Sequence, residues 1–301
     1  MQERERILRL EGFIKDIPCR ITKSRVWTLR KSDRISFLIG VGIVAVVVFM
    51  AIFAEVVSPY DPNAIGEGNV RQPPSFTNWM GTDSLGRDVF SRIIYGARIS
   101  LLVGLTSVLF AGTIGALLGV LTGYYGGNLD RAITLPMDAL YSFPAFLTAL
   151  LIVVALGGEI LYTAIAVGIG LLPRFYRTVR SAAIGLREEE FVEAEVSIGA
   201  SDLYIVFRHV LPLTFTILGV VLTVSIATAI LSIAGLGFLG LGVPPPTPEW
   251  GSDLAAGRPS ILSGVWWTTL GPAAFIFLTV LGFNLVGDGL SKIFSASLEE
   301  I

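Results

Sequence analysis

The feature that most constrains this chain is the recurrence of apolar runs long enough to cross a bilayer. Ile35 to Val57 carries a single charge, Glu55, close to its end. About 20 apolar helical residues cover a hydrocarbon layer roughly 30 Å thick. Further runs occur at 99–121, 137–156, 160–180, 213–236 and 266–286. Composition agrees with this reading: 53% of residues are hydrophobic and only 15% charged, where soluble domains hold about a quarter. The expectation is an all-α, polytopic membrane protein of six transmembrane helices. One domain, 35–290, lies between tails at 1–34 and 291–301, and no internal repeat divides it.

Several function classes drop out. A net charge of −2 gives no footprint for nucleic acid. The single cysteine, Cys19, excludes an intramolecular disulfide and a multi-cysteine metal site. The single histidine, His209, leaves little for a metal centre or a Ser/His/Asp triad, and reads as a surface or interfacial side chain. No G-x-x-x-x-G-K-[ST] stretch exists to cradle nucleotide phosphates. Ion-coupled transporters place ionisable groups deep in the bilayer. Here Glu55, Asp138 and Asp288 all fall near the ends of runs.

In chain order, the basic tail Met1–Arg34 sets Ile7, Leu10, Phe13 and Ile14 on one helical face, suited to the inner leaflet or simply to a solvated helix. A polar loop follows from Ser58 to about Ala97. The second run is rich in small residues, Gly104, Gly112, Gly115 and Gly119, which let helices approach closely. Pro144 breaks the third run. Arg174, Arg177 and Arg180 lie near one face where the fourth run reaches the interface, able to snorkel toward phosphates. Thr223, Ser225, Thr228 and Ser232 either bond their own helix backbone or line a wet path. Trp266 and Trp267 sit where aromatics of a membrane belt are expected. With the N-terminus inside, 17 of the 22 Lys and Arg residues fall on the cytoplasmic side, together with both termini and the loop at 191–212.

That loop, FVEAEVSIGASDLYIVFRHVLP from Phe191 to Pro212, is a polar island between apolar runs. Phe191–Ser197 reads as a short helix, and Gly199 as its stop at positive φ. Ser201 is placed to N-cap a second short helix running to about Val206, and Pro212 opens the next run. Glu193-Ala194 followed by Gly199 and Leu211-Pro212 resembles the EAA loop of ABC-importer permease subunits, with Glu195 where alanine is usual. GTDSLGRDVFSRIIYGARISL (81–101) and LSIAGLGFLGLGVPPPTPEWG (231–251) resemble signatures of the dipeptide/oligopeptide branch of that family. In the first of these, Gly81 and Gly86 permit turns, while Asp83, Arg87, Asp88 and Arg92 can form a surface ion-pair set. They either order an outer loop or shape a mouth presented to a binding protein.

The resemblance implies a type I ABC-importer permease fold. Glu193, Ala194, Glu195, Ser197, Gly199, Ala200, Ser201, Asp202 and Pro212 would couple to an ATPase. Gly81, Thr82, Asp83, Gly86, Arg87 and Asp88 would form the extracytoplasmic signature loop. It further implies two ABC ATPase subunits that hold ATP and Mg, a second homologous permease and an extracytoplasmic substrate-binding protein. This chain would bind no cofactor and be no enzyme. The expected solute is a di- or oligopeptide, with glutathione, a nickel complex or an oligosaccharide as alternatives. An ATP-independent channel or facilitator and a scaffold subunit are the competing classes.

Overall fold

The computed structural model describes residues 30–66 and 68–298, and every regular element among them is helical. The N-terminal face of Ile7, Leu10, Phe13 and Ile14 lies outside the described residues. The order is α1 (Lys31–Ile52), α2 (Ala54–Val57), α3 (Val89–Tyr125), α4 (Gly127–Tyr141), α5 (Ala145–Leu156) and α6 (Ile160–Arg187). Then come α7 (Glu190–Ser197), α8 (Asp202–Ile205), a π-helical turn (Val206–Val210), α9 (Leu211–Phe238), α10 (Trp250–Gly257), a 3₁₀ turn (Arg258–Ser263) and α11 (Trp267–Leu298). Four helical stretches are long and apolar enough to cross a membrane: α1, α3, the continuous Asp202–Phe238 stretch and α11. Helices α4 and α5 are long and apolar enough only together, and they are bent by 90°, as in a broken span or a re-entrant loop.

Several boundaries differ from the sequence reading. The polar loop ends at Asp88 rather than near Ala97, because the Asp88 carboxylate accepts from the Ser91 N–H at 2.8 Å and starts α3 ten residues before the apolar run at Ile99. At 37 residues α3 is about 55 Å long, well beyond a hydrocarbon layer. The third run is not one broken rod. Pro144 has no N–H to continue the ladder, and α5 turns away from α4 at right angles. Helix α11 continues to Leu298, past 286.

The centre of the bundle is α3 against α6. Glycines of α3 form the seam: a Cβ on Gly115 would lie 2.7 Å from the Phe175 Cβ, and one on Gly123 equally close to that of Ala183. Without a hydrophobic drive between helices in lipid, such close approach supplies the packing. Around this seam Val103, Val108, Phe175, Val179, Ile205, Val206 and Ile233 are fully or almost fully buried. Helix α6 thus packs one face into the bundle, while Arg174, Arg177 and Arg187 of its second half lie on the exposed side. Helix α1 packs on α11, with Gly40 against Leu285 and a Lys292–Asp33 ion pair at 2.6 Å. Thr223, Thr228 and Ser232 return their hydroxyls to their own backbone, while the buried Ser225 hydroxyl has no partner.

Candidate functional site

Two regions hold the residues singled out by sequence, at opposite ends of α3. At its Tyr125 end lies the loop that joins α6 to α9. Helix α7 stops at a Schellman closure: the Ala200 N–H donates to the Glu195 carbonyl at 3.0 Å, and the Gly199 N–H to that of Val196 at 3.0 Å. Gly199 takes φ +83°, and a Cβ there would meet nothing within 4 Å. Its requirement for glycine is therefore one of backbone conformation, not of space inside this chain.

Ser201 stands at the N-cap of α8 in extended conformation, but its hydroxyl makes no capping bond. Helix α8 ends at Ile205, as expected near Val206, but the helical path does not stop there. The π-helical turn carries it into α9, with Pro212 in the first turn, so the second arm of the loop is rigidly continuous with a spanning helix. A push on α8 therefore reaches the bundle without a hinge.

Glu193, Ala194, Ser197, Gly199, Ser201 and Asp202 are exposed; Glu195, Ala200 and Pro212 are partly covered. In the same loop Val196, Ile198, Leu203, Tyr204 and Phe207 are about half exposed or more, and the acids Glu188, Glu189, Glu190 and Glu193 that precede them in sequence are exposed as well. Sequence reasoning passed over these apolar residues because it weighed only the motif positions; the alternation of exposed apolar and acidic side chains was the available signal. Val192, Ile205, Val206 and Val210 are buried and seat the loop on the bundle. The Tyr124 hydroxyl approaches Asp202 at 3.3 Å.

Glu195, the departure from the usual alanine, faces inward. Its Oε1 lies 2.9 Å from His209 Nε2, with the Tyr204 ring 5.6 Å from the imidazole. The contact is close but not an aligned hydrogen bond, since His209 Nε2 has no hydrogen-bond partner. His209 is mostly covered and joins the two arms of the loop.

At the Asp88 end the chemistry is turned inward. Thr82 is fully buried; its hydroxyl bridges Asn69 O and Gln72 N, and its carbonyl accepts from the Trp267 indole at 3.1 Å. Gly81 takes φ +69° beneath that indole, and Gly86 φ +74° against the Gly68 carbonyl. Trp267 is thus a lock on the loop and not a belt aromatic, whereas Trp266 is half exposed.

The expected surface ion-pair set is a buried and divided one. Asp83 pairs with Arg87 at 2.6 Å. Asp88 takes no arginine and instead accepts from Ser91 and Asn78. Arg92 crosses to Asp253 of α10, donating from Nε at 2.9 Å and also from Nη2, while Nη1 donates to the Pro62 and Pro246 carbonyls. Glu249 caps α10 through Gly251 and Ser252, and the Trp250 indole donates to Ile93 O. Burial pushes the Glu249 carboxyl above the usual carboxylate range, opposed by those two backbone N–H groups. No group of metal-ligating side chains occurs among the described residues.

Comparison with known proteins gives a consistent answer. Residues 115–300 match the family model of the binding-protein-dependent transport system inner membrane component. Residues 34–74 match the N-terminal TM domain of oligopeptide transport permease C. The chain is 41% identical over 288 residues to the glutathione transport system permease proteins of Shigella boydii and Escherichia coli O157:H7, covering 95% of this chain and 94% of theirs. It is 44% identical over 248 residues to that of Escherichia coli O6:K15:H31, covering 82% of both. This chain therefore belongs to the family of binding-protein-dependent transport system inner membrane components: it is an inner-membrane permease subunit of an ABC importer, not an enzyme, and works with ATPase and substrate-binding partners.

Proposed function

We propose that this permease forms half of the pathway for a small peptide-like solute, with a glutathione-type tripeptide first among di- and oligopeptides. The observation that carries this is end-to-end similarity, 41% over 95% of the chain, to permeases named for glutathione, joined to the match with an oligopeptide permease domain. The decisive experiment is uptake of labelled glutathione, a dipeptide and a pentapeptide by a strain lacking this chain, with and without its restoration. Restored uptake of at least one is expected. Restoration of none, with a nickel complex or an oligosaccharide carried instead, overturns the peptide reading.

In this reading the subunit pairs with a second, homologous permease, and two ATPases holding ATP and Mg seat on the α7–α8 loops of the pair. A substrate-binding protein docks at the Asp88 end. Six spans, with α6 as the fourth in sequence order, leave both termini and the α7–α8 loop in the cytoplasm, where ATP is. The exposed apolar and acidic side chains of that loop support docking there. The continuity of α8 with α9 supports transmission, since a seated α8 can move only together with the spanning helix that follows it. The Asp83, Arg87 and Asp88 set orders the loop itself, and Arg92 and Thr82 tie it to α10 and α11 through Asp253 and Trp267. Uptake by vesicles holding both permeases but no ATPase would point instead to a facilitator.

A further inference from the structure

The 90° elbow between α4 and α5 occupies a depth where irregular backbone is costly. Ala145 lies against Gly170 of α6, where a Cβ on Gly170 would sit 2.6 Å from the Ala145 carbonyl. Gly170 is ten residues, about 15 Å, from the α6 start at Ile160. With Ile160 taken as the edge of about 30 Å of hydrocarbon, that is near the bilayer centre. Helix α5, 12 residues and about 18 Å, covers only the remaining half. Yet Tyr141, Ser142, Phe143 and Pro144 are all exposed, and no side chain caps the first N–H groups of α5. Non-helical backbone at such depth persists only where protein covers it or water reaches it.

Charge on the adjoining helix separates those two cases. Gly170, Arg174 and Arg177 follow one stripe of α6 at helical spacing. Arg177 donates to Asp138 of α4 at 2.8 Å and lies 4.0 Å from the centre of the Tyr141 ring, and both members of the pair remain nearly half exposed. Arg174, one turn nearer the elbow, is exposed, and its guanidinium has no partner among the described residues. An ion pair left half exposed at this level of α6 is in reach of water, through a wet cavity or by snorkelling to the interface, and is not sealed in lipid. Asp138 is already matched by Arg177, so Arg174 leaves this wall with a net positive charge.

We propose that Tyr141–Pro144, with Arg174 and the Arg177–Asp138 pair, is the water-lined wall of the solute pathway, and that Arg174 gives it a preference for carboxylate-bearing solutes. The carboxylate rests on the peptide-like reading above, but the test does not use transport. In the assembled importer, with Cys19 replaced by serine, Phe143→Cys or Ser142→Cys is treated with two water-soluble methanethiosulfonates, one a sulfonate and one a trimethylammonium. Val46→Cys on the exposed side of α1 is the lipid-facing control. The elbow cysteines are expected to react and the control not. The sulfonate-to-trimethylammonium rate ratio should fall roughly three- to tenfold on adding Arg174→Gln, the scale of one partly screened charge. Elbow cysteines as inert as the control would overturn the wall. An unchanged ratio, as when Arg174 sits on a lipid phosphate, would overturn the role of Arg174. Either result leaves the uptake experiment, and the peptide reading, standing.

Discussion

The two ends of α3 use polar residues in opposite ways. At the Asp88 end, Asp83, Arg87, Asp88, Arg92, Glu249 and Asp253 are all largely buried and bonded within the chain. At the Tyr125 end, Glu193, Ser197, Ser201 and Asp202 point outward beside exposed Val196, Ile198 and Leu203. The first end is closed on itself and sets shape. The second leaves apolar and acidic side chains exposed, as the docking surface proposed above requires. Substitutions at the first end should therefore act on folding, and those at the second on coupling.

The largest effect expected is from Arg92→Ala. Its partner Asp253 would be left buried and uncompensated, a loss of about 3–5 kcal/mol that should abolish the folded subunit in membranes. Arg92→Leu with Asp253→Leu should recover yield. A well-folded Arg92→Ala protein, judged by yield and melting in detergent, would break the comparison at its closed end.

Next is Gly199→Asp. An added Cβ would meet nothing within 4 Å, so the cost within the subunit is backbone strain at φ +83°, about 1 kcal/mol; yield should fall only modestly while uptake is abolished and ATPase co-purification is lost. Normal uptake by a well-expressed variant would remove the coupling role from this loop. Ile198→Ser sharpens the point: at 67% exposure it should change stability by no more than about 0.5 kcal/mol and still weaken ATPase retention several-fold.

A smaller effect concerns Glu249. Burial raises its carboxyl in the folded protein, so the folded state holds the proton more tightly than the unfolded chain does. Stability should be greatest below the unfolded value, about 4.3, and decline as pH rises through the raised folded value. Glu249→Gln should flatten that decline in detergent melting curves; an unchanged slope would assign it elsewhere. Smallest is Glu195→Ala, which removes the contact with His209 and should cost no more than about 1 kcal/mol. ATPase retention should barely change, because Glu195 faces its own subunit. A large loss of retention would place Glu195 on the docking surface instead.

The spans and the loop's turn were legible because their causes are local. A run of apolar side chains needs only its own length to suit a bilayer, and Gly199 needs only its missing Cβ to take φ +83°. Pro144 announced a break for the same reason. Its 90° angle, and the depth at which it occurs, depend on where Gly170 sits. The capping role of Asp88 was hidden because the apolar run, read as the helix, starts later than the helix does.

What the sequence determined by itself is therefore that the chain is a set of apolar helical rods, where the polar loop interrupts them and which family the chain resembles. Only the tertiary structure decided the pairings. Arg92 meets Asp253 across 161 residues, Trp267 meets Thr82 across 185, and Arg177 meets Asp138 on a bent neighbour. A charged side chain carries no mark of its partner in the local sequence. The choice is made by which helices the glycine seam of α3 brings together, and that is a property of the packed bundle.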